Sequence, residues 1–288
     1  MSRNKQRTAA ATNPAAVTPA VESPPASPSA SPGTLSYVTP TEFVELPSKG
    51  KLYPPDHPLH NEEVLELRYM TAKDEDILTS PALLRNGLAI ERLLQNLLVD
   101  KSIDPASLLV GDRNALLVAA RVSGYGEEYQ VNVNCPACGA SSEYNFDLKN
   151  VTHSGILPED SDKVELTANG TFIATLPKTK FPVEFRLLTG EDEVYLNKAS
   201  EQLKKLKLPD ATATNLLKRV ILSVNGVNAP AEINNFVDNM PALDARFLRG
   251  CVQTVTPNID MNQDFHCSSC GTTTEMEVPF TVQFFWPQ

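Results

Sequence analysis

The sequence predicts an α+β fold made of two similar halves that are joined through four cysteines. Short strands alternate with amphipathic helices along most of the chain, which favours helices packed beside small antiparallel sheets. The order strand, helices, strand, C-x-x-C-G, strand occurs twice. The two C-x-x-C pairs use four of the five cysteines, and in a reducing compartment this spacing is typical of metal binding.

The chain divides into five segments by composition. Residues 1–36 are rich in Pro, Ala and Ser and cannot bury enough surface to offset the entropy cost of ordering, so we expect a disordered arm. Residues 37–63 contain prolines that exclude a helix or a central strand, and we expect an extended lead segment. A first repeat follows over 64–150, a linking β-hairpin over 151–182 with Asn169–Gly170 as its turn, and a second repeat over 183–288.

The first repeat is predicted to contain three strands and three helices. Thr71 is a helix N-cap candidate because an acidic turn follows it, and Asp112 is a second candidate. In chain order we expect a strand over Val64–Met70, a helix after Thr71, helices over Ala82–Val99 and Asp112–Val122, and strands over Tyr129–Asn134 and Tyr144–Leu148.

The second repeat follows the same order. We expect a strand over Val183–Leu188, a helix capped by Thr189, helices over Ala213–Leu222 and Leu243–Val255, and strands over Asp264–His266 and Met276–Phe280. Identical residues recur at a constant offset of 118 around Arg68 and Arg186, and at an offset of 132 over residues 112–143 and 244–275. These offsets indicate an internal duplication; chance similarity of two amphipathic segments is the alternative.

Cys135, Cys138, Cys267 and Cys270 are candidate ligands of one structural Zn²⁺ per chain. The two-residue spacer lets both thiolates of a pair face one ion, and the following glycine provides backbone freedom. A structural zinc ion needs four ligands, so both pairs are expected to converge on one tetrahedral site with no open position. An iron site with the same thiolates stays open as an alternative. A redox role is disfavoured because it needs a cysteine at a helix N-terminus.

Other chemically capable residues do not form a recognisable active site. Cys251 lies on an apolar helix face, where a buried structural role is expected, and the histidines at 57, 60, 153 and 266 are scattered over loops and a strand end. The acidic clusters 74–76 and 191–193 fall in first turns of helices, where carboxylates complement the helix dipole. Phosphate-binding, dinucleotide-binding, zinc-protease and hydrolase motifs are missing. We expect no enzymatic activity and no small-molecule substrate.

The charge of the chain restricts its partners further. Its formal net charge is −10, which disfavours phosphate binding, and the residues around the cysteine pairs are mostly acidic. No apolar stretch has the length of a membrane span or the character of a secretory signal, so we expect a protein made in a cytoplasm and not inserted in a membrane.

Five sequence motifs resemble those of the T4-type baseplate hub proteins of contractile-tailed bacteriophages. They are LPSKGKLYP (46–54), MTAKDEDIL (70–78), GDRNALLVAAR (111–121), GYG (124–126) and CPACG (135–139). The resemblance is clearest over residues 43–148, is weaker from 183 onward and does not include the N-terminal arm. It implies a non-enzymatic virion protein, synthesised in the host cytoplasm and located in the tail baseplate, whose partners are other tail and baseplate proteins.

Three functions from different classes remain open at this point. The first is a structural baseplate protein, the second is an assembly chaperone for the hub that is absent from the mature virion, and the third is a zinc-ribbon protein that binds nucleic acid. For the first, we expect residues 41–60 to contact neighbouring subunits, and we expect a chain lacking residues 1–60 to keep a soluble, zinc-bound core.

Overall fold

Twelve strands and eight α-helices make up the regular structure of the residues described by this computed structural model, which are 38–150, 152–154, 163–279 and 282–285. The strands are β1 Thr41–Glu45, β2 Val64–Arg68, β3 Glu128–Asn134, β4 Ser141–Asp147, β5 Thr152–Ser154, β6 Glu165–Leu166, β7 Phe172–Thr175, β8 Pro182–Phe185, β9 Ile221–Val224, β10 Asn258–Asp260, β11 Asn262–His266 and β12 Thr273–Glu277. The helices are α1 Ala72–Thr79, α2 Pro81–Asn86, α3 Ala89–Leu97, α4 Val110–Tyr125, α5 Gly190–Lys205, α6 Thr212–Val220, α7 Pro230–Asn239 and α8 Ala242–Val255. The predicted arm over 1–36 lies outside the described residues.

The strands pair into small antiparallel sheets, as the sequence predicts. Four sheets have two strands each, β1–β2, β3–β4, β5–β10 and β11–β12, and one has four in the order β6-β7-β8-β9. The helices pack beside them, and the buried apolar residues of both halves belong to a single cluster. The mixed α+β class with small antiparallel sheets is confirmed. Within the described ranges, no helix is both long and apolar enough to cross a membrane.

Each half has the same junction between a strand and a helix. In the first, Asp74 of α1 accepts hydrogen bonds from the amide and hydroxyl of Thr71, both at 2.8 Å, and from the Arg68 guanidinium at 2.7 and 2.8 Å. Its side chain is fully buried. The N-cap threonine and the aspartate three residues later thus satisfy each other, and the arginine neutralises the buried carboxylate.

The second half repeats this junction at the start of α5. Asp192 accepts from the Thr189 amide at 3.0 Å and hydroxyl at 3.1 Å, and from the Arg186 guanidinium at 2.5 and 3.0 Å. A second guanidinium, that of Arg219, donates to it at 2.5 Å. Asp74 and Asp192 therefore have a structural role, as their place in the first turn of a capped helix indicates.

The helix expected over Ala82–Val99 is wrong as one continuous element. It divides into α2 and α3 because Gly87 adopts a left-handed conformation with φ of 69° and ends the first helix. Several elements were not expected from the sequence, among them α7 and β9. Helix α7 begins with Pro230 in its first turn, and β9 follows α6 directly.

Asp112 does not cap α4, contrary to expectation, because the helix begins at Val110. Its buried carboxylate instead reaches the lead segment, where it accepts hydrogen bonds from the Ser48 amide at 2.9 Å, the Ser48 hydroxyl at 2.6 Å and the Tyr53 hydroxyl at 2.8 Å. Burial and the nearby carboxylate raise the pKa of Tyr53. The carboxylate therefore fixes the turn that follows Leu46-Pro47.

Asp244 of α8 does the same in the second half. It accepts from the amides of Lys178 at 2.7 Å and Thr179 at 3.0 Å, and these residues follow Leu176-Pro177. Each of the two turns connects a pair of antiparallel strands, β1 to β2 and β7 to β8. The predicted linking segment contains the β6–β7 hairpin, with its turn at Asn169–Gly170. Strand β7 also pairs with β8, so this segment is part of the sheet of the second half.

The lead segment is not extended over residues 46–60, which corrects the sequence expectation. It forms a series of turns against the core of its own chain, and Leu46, Leu52, Tyr53 and Leu59 are each at most 4% exposed. These side chains are unavailable to neighbouring subunits. A chain lacking residues 1–60 would lose this part of the core together with Ser48 and Tyr53, which bond Asp112, so we now expect such a chain to fold poorly.

A buried arginine that the sequence analysis missed anchors the C-terminal end of the described chain. Arg121 of α4 is 1% exposed and donates to the carbonyls of Phe284 at 2.7 Å, Gly126 at 2.8 Å and Glu128 at 3.0 Å. Its guanidinium also lies over the Tyr125 ring. The sequence signal was an apolar helix that carries two arginines, Arg113 and Arg121, and it does not identify these carbonyl partners.

Candidate metal centre

The two cysteine pairs lie at the ends of two similar hairpins, β3–β4 and β11–β12. In each, the amide of the glycine after the second cysteine donates to the carbonyl of the first, Gly139 to Cys135 at 2.8 Å and Gly271 to Cys267 at 2.9 Å. The two glycines have φ of 73° and 72°, in the left-handed region that favours glycine. The C-x-x-C-G sequence therefore folds locally into one turn that is used twice.

The structure brings all four thiols together. Cys135 Sγ lies 3.8 Å from Cys270 Sγ, and Cys138 Sγ lies 3.8 Å from Cys267 Sγ. All four sulfur atoms lie within 4.8 Å of one another. Four sulfurs bound tetrahedrally at about 2.3 Å from one ion are separated by about 3.8 Å. The cluster therefore has the dimensions of a tetrahedral four-thiolate metal site.

Contacts between the hairpins hold the two turns at this distance. The Tyr144 hydroxyl donates to the Asp264 carbonyl at 2.8 Å, and its ring packs edge-on against Phe265 at 5.0 Å between centroids. The Gln263 side chain bonds the Asp147 backbone twice, at 2.6 and 3.1 Å. Contacts between the hairpins thus position the thiols independently of a bound ion.

The four thiols lie close enough to shift one another's pKa. Hydrogen bonds from the Thr272 hydroxyl and amide, together with the neighbouring thiols, lower the pKa of Cys270 to about 6. The Ala140 amide lowers the pKa of Cys138, but the thiols of Cys270 and Cys135 raise it more, to about 12. Adjacent thiolates repel one another, and a bound dication removes this repulsion.

The environment suits a structural ion better than a catalytic one. Cys135 and Cys267 are buried, whereas Cys138 and Cys270 face solvent. Among the described residues, these four cysteines are the one group of His, Cys, Asp or Glu placed to hold an ion, so a bound ion has four sulfur ligands and no open position. Catalytic zinc sites keep one position for water or substrate.

The other chemically capable residues that the structure describes do not belong to the cluster. Cys251 is buried in α8, and burial raises the pKa of its thiol. His57 contacts Ser107, His60 contacts the Tyr53 carbonyl, and His266 contacts Thr273. The side chain of His153 lies outside the described residues. None of the three described histidines joins the thiols.

The surface of the two hairpins that carry the cysteine turns is acidic. Its exposed carboxylates are Glu127, Glu128, Glu143, Asp147, Asp264, Glu275 and Glu277. Lys149 forms an ion pair with Glu127 at 3.4 Å. A phosphate backbone would be repelled by such a surface.

Comparison with known proteins identifies the family. A family model described as T4 bacteriophage base plate protein matches residues 39–286, which includes both cysteine pairs and both strand-helix junctions. No curated protein and no solved structure gave a match. Because the family match extends over most of the chain, this protein belongs to the T4 bacteriophage base plate protein family, as the sequence motifs had indicated.

Proposed function

We propose that the protein is a non-enzymatic structural component of a contractile phage tail that assembles the hub or baseplate through contacts with other tail and baseplate proteins. The family match over residues 39–286 carries this proposal. The non-enzymatic part of the proposal is supported by the two buried carboxylates that could have served as acid or base. Asp74 and Asp192 each accept hydrogen bonds from an arginine and an N-cap threonine, which gives them a structural role.

We propose that Cys135, Cys138, Cys267 and Cys270 hold one structural Zn²⁺ per chain. Four sulfur ligands at tetrahedral separations favour zinc or iron over the oxygen-preferring cations. The site joins hairpins that are more than a hundred residues apart in the chain, so metal binding would contribute directly to folding. Elemental analysis of protein purified without chelator should give one zinc per chain and no iron.

We also propose that the two halves arose by duplication. The supporting observations are the paired aspartates Asp74 and Asp192, the paired aspartates Asp112 and Asp244, and the two cysteine turns. The Leu-Pro turns extend the equivalence to Leu46 and Leu176, so we place the start of the second repeat near Phe172, ahead of Val183. An experimental structure in which residues 112–143 and 244–275 fail to superimpose would contradict this origin.

The acidic surface of the two hairpins favours protein partners over nucleic acid. The zinc-ribbon alternative requires basic and aromatic residues on the outer faces of the hairpins. Those faces carry Glu128, Glu143, Asp264 and Glu275 instead. A filter-binding or fluorescence assay with duplex and single-stranded DNA at low salt should show no saturable binding.

Mass spectrometry of purified particles tests the main proposal. Virions, isolated tails and the lysate of infected cells should be compared, with a known tail protein and a non-virion phage protein as the two controls. We expect peptides of this protein in virions and tails at a constant ratio to the known tail protein. Their presence in the lysate and absence from virions would contradict the structural role and support the assembly chaperone.

A further inference from the structure

The second half carries a helical projection that the described part of the chain covers only in part. Asp192 and Leu217 are buried, but none of residues 193–216 between them is buried. This stretch contains most of α5, the loop after it and the start of α6. The more covered side of α5, with Leu196, Ala199 and Leu203, is only half-buried, so packing stabilises this helix less than a fully buried face would. We call residues 194–208 the basic arm.

The basic arm combines exposed apolar side chains with positive charge. Tyr195, Leu206 and Leu208 are 53%, 68% and 53% exposed. The arm contains four lysines and one glutamate, a net charge of +3, on a chain whose total is −10. These residues are Lys198, Glu201, Lys204, Lys205 and Lys207. Exposed apolar groups within a charged rim mark a protein contact surface.

A second surface of the same chain has the complementary character. On the outer side of β1 and β2, Phe43 is opposite Glu66 and Glu45 is opposite Val64. Phe43 is 72% exposed and Val64 41% exposed. Residues directly opposite each other in antiparallel strands share one face of the sheet, so these four side chains form a single patch.

This patch continues on both sides. The Val99 amide donates to the Glu66 carbonyl at 3.3 Å, which places Val99, 44% exposed, along the free edge of β2. Glu62 and Glu63 are exposed immediately before β2. We call Phe43, Glu45, Glu62, Glu63, Val64, Glu66 and Val99 the acidic face.

We propose that the basic arm of one molecule docks on the acidic face of a second copy of this chain. Both surfaces are exposed within one chain, so they do not cover each other intramolecularly. Their opposite charges and shared apolar content make them complementary. Because the two surfaces differ, the contact is head-to-tail. Such contacts build a closed ring when the repeated rotation from one copy to the next returns to the first copy.

Association of the purified full-length protein tests this proposal without reference to virions, so its result is independent of the proposed baseplate role. Sedimentation velocity over about 1 to 100 µM should show concentration-dependent association. Raising the salt from about 0.05 to 0.5 M should weaken it, because exposed charges are screened.

Charge reversals identify the surfaces. Lys204→Glu, Lys205→Glu and Lys207→Glu together should weaken association about tenfold or more, and so should Glu45→Lys, Glu62→Lys and Glu66→Lys together. The matched control reverses the same number of exposed lysines elsewhere, Lys73→Glu, Lys149→Glu and Lys163→Glu, and should associate as the wild type does.

Combining the arm and face reversals in one chain should restore association, which a misfolded variant cannot do. Circular dichroism and zinc content should be unchanged in every variant because the altered side chains are only partly buried or exposed. A wild type that stays monomeric throughout, an arm variant that associates normally, or a combined variant that stays monomeric would each overturn the proposal.

Discussion

Cys138 Sγ lies 3.8 Å from Cys267 Sγ, although 129 positions separate the two residues in the chain. Each thiol belongs to a different hairpin, so this contact joins the two halves of the protein. It exists because the Tyr144 hydroxyl and the Gln263 side chain fix one hairpin against the other. The candidate metal centre is thus a connection between halves, and its loss should affect the stability of both.

Replacing one ligand should remove the metal and its contribution to folding. We expect Cys135→Ser or Cys267→Ser to lower zinc content from one per chain to well below half, because three thiolates remain. At a metal concentration about 100-fold above Kd, the wild-type site contributes about 2.7 kcal/mol. Thermal unfolding with and without chelator measures this: the wild-type Tm should fall in chelator and the variant Tm should not.

Cys251→Ala provides the control for that series. This thiol is buried in α8 and does not lie in the cluster. Zinc content should stay at one per chain. Loss of zinc in this variant, or an unchanged Tm of the wild type in chelator, would contradict a structural metal at the four cysteines.

Stability should fall in acid through the buried aspartates of the two strand-helix junctions. Burial alone would raise the pKa of Asp74, but the Arg68 guanidinium and the Thr71 hydrogen bonds lower it from 3.8 to about 2. The pKa of Asp192 is also lowered to about 2, by Arg186 and Thr189 against the effect of burial. A depressed pKa contributes stability that is fully present above the unfolded value and is lost as pH falls toward the folded value.

Urea unfolding at several pH values checks this prediction. The free energy of unfolding of the wild type should decrease between about pH 5 and pH 2. Asp192→Asn should be less stable at neutral pH and should show a flatter decline over that range. Chelator should be present in both samples, so that protonation of the thiols does not contribute to the difference. Equal slopes would contradict the assignment.

Arg121 should be required for stability through its hydrogen bonds to three backbone carbonyls. Arg121→Met removes all of its donors and should cost about 2 to 5 kcal/mol. Arg121→Lys should not restore stability, because an ammonium lacks the planar geometry that reaches several carbonyls. The control is Arg85→Met, since Arg85 is exposed and donates to the Pro81 carbonyl of its own helix. Its effect should stay within about 0.5 kcal/mol.

The lead segment should behave as part of the core. Tyr53→Phe removes the hydroxyl that donates to Asp112 and accepts from the Leu109 amide, and should cost about 1 to 3 kcal/mol. Tyr195→Phe, at an exposed tyrosine, should be neutral. A chain that begins at residue 61 should fail to give a cooperative unfolding transition. If it unfolds cooperatively with normal zinc content, the structural role of this segment is wrong.

The sequence predicted those features whose cause is local. The C-x-x-C-G turns follow from the spacing of two thiols and a glycine, and they formed alike in both halves. The strand-helix junctions at Thr71 and Thr189 follow from an N-cap threonine and an acidic first turn. Gly87 shows where local reasoning was incomplete, because leucine spacing alone favoured one long helix and the glycine ended it.

The tertiary structure determined which distant group each buried polar side chain bonds. Asp112 has the sequence signature of a helix cap, yet its carboxylate bonds Ser48 and Tyr53, at separations of 64 and 59 residues. Arg121 appears as an ordinary helical arginine, yet it bonds the carbonyl of Phe284 at a separation of 163. A buried polar group takes whichever partner the folded chain brings within about 3 Å, and burial makes that partner necessary. The residue type and its neighbours in sequence specify the need for a hydrogen bond, whereas only the packing of the whole chain specifies which group satisfies it.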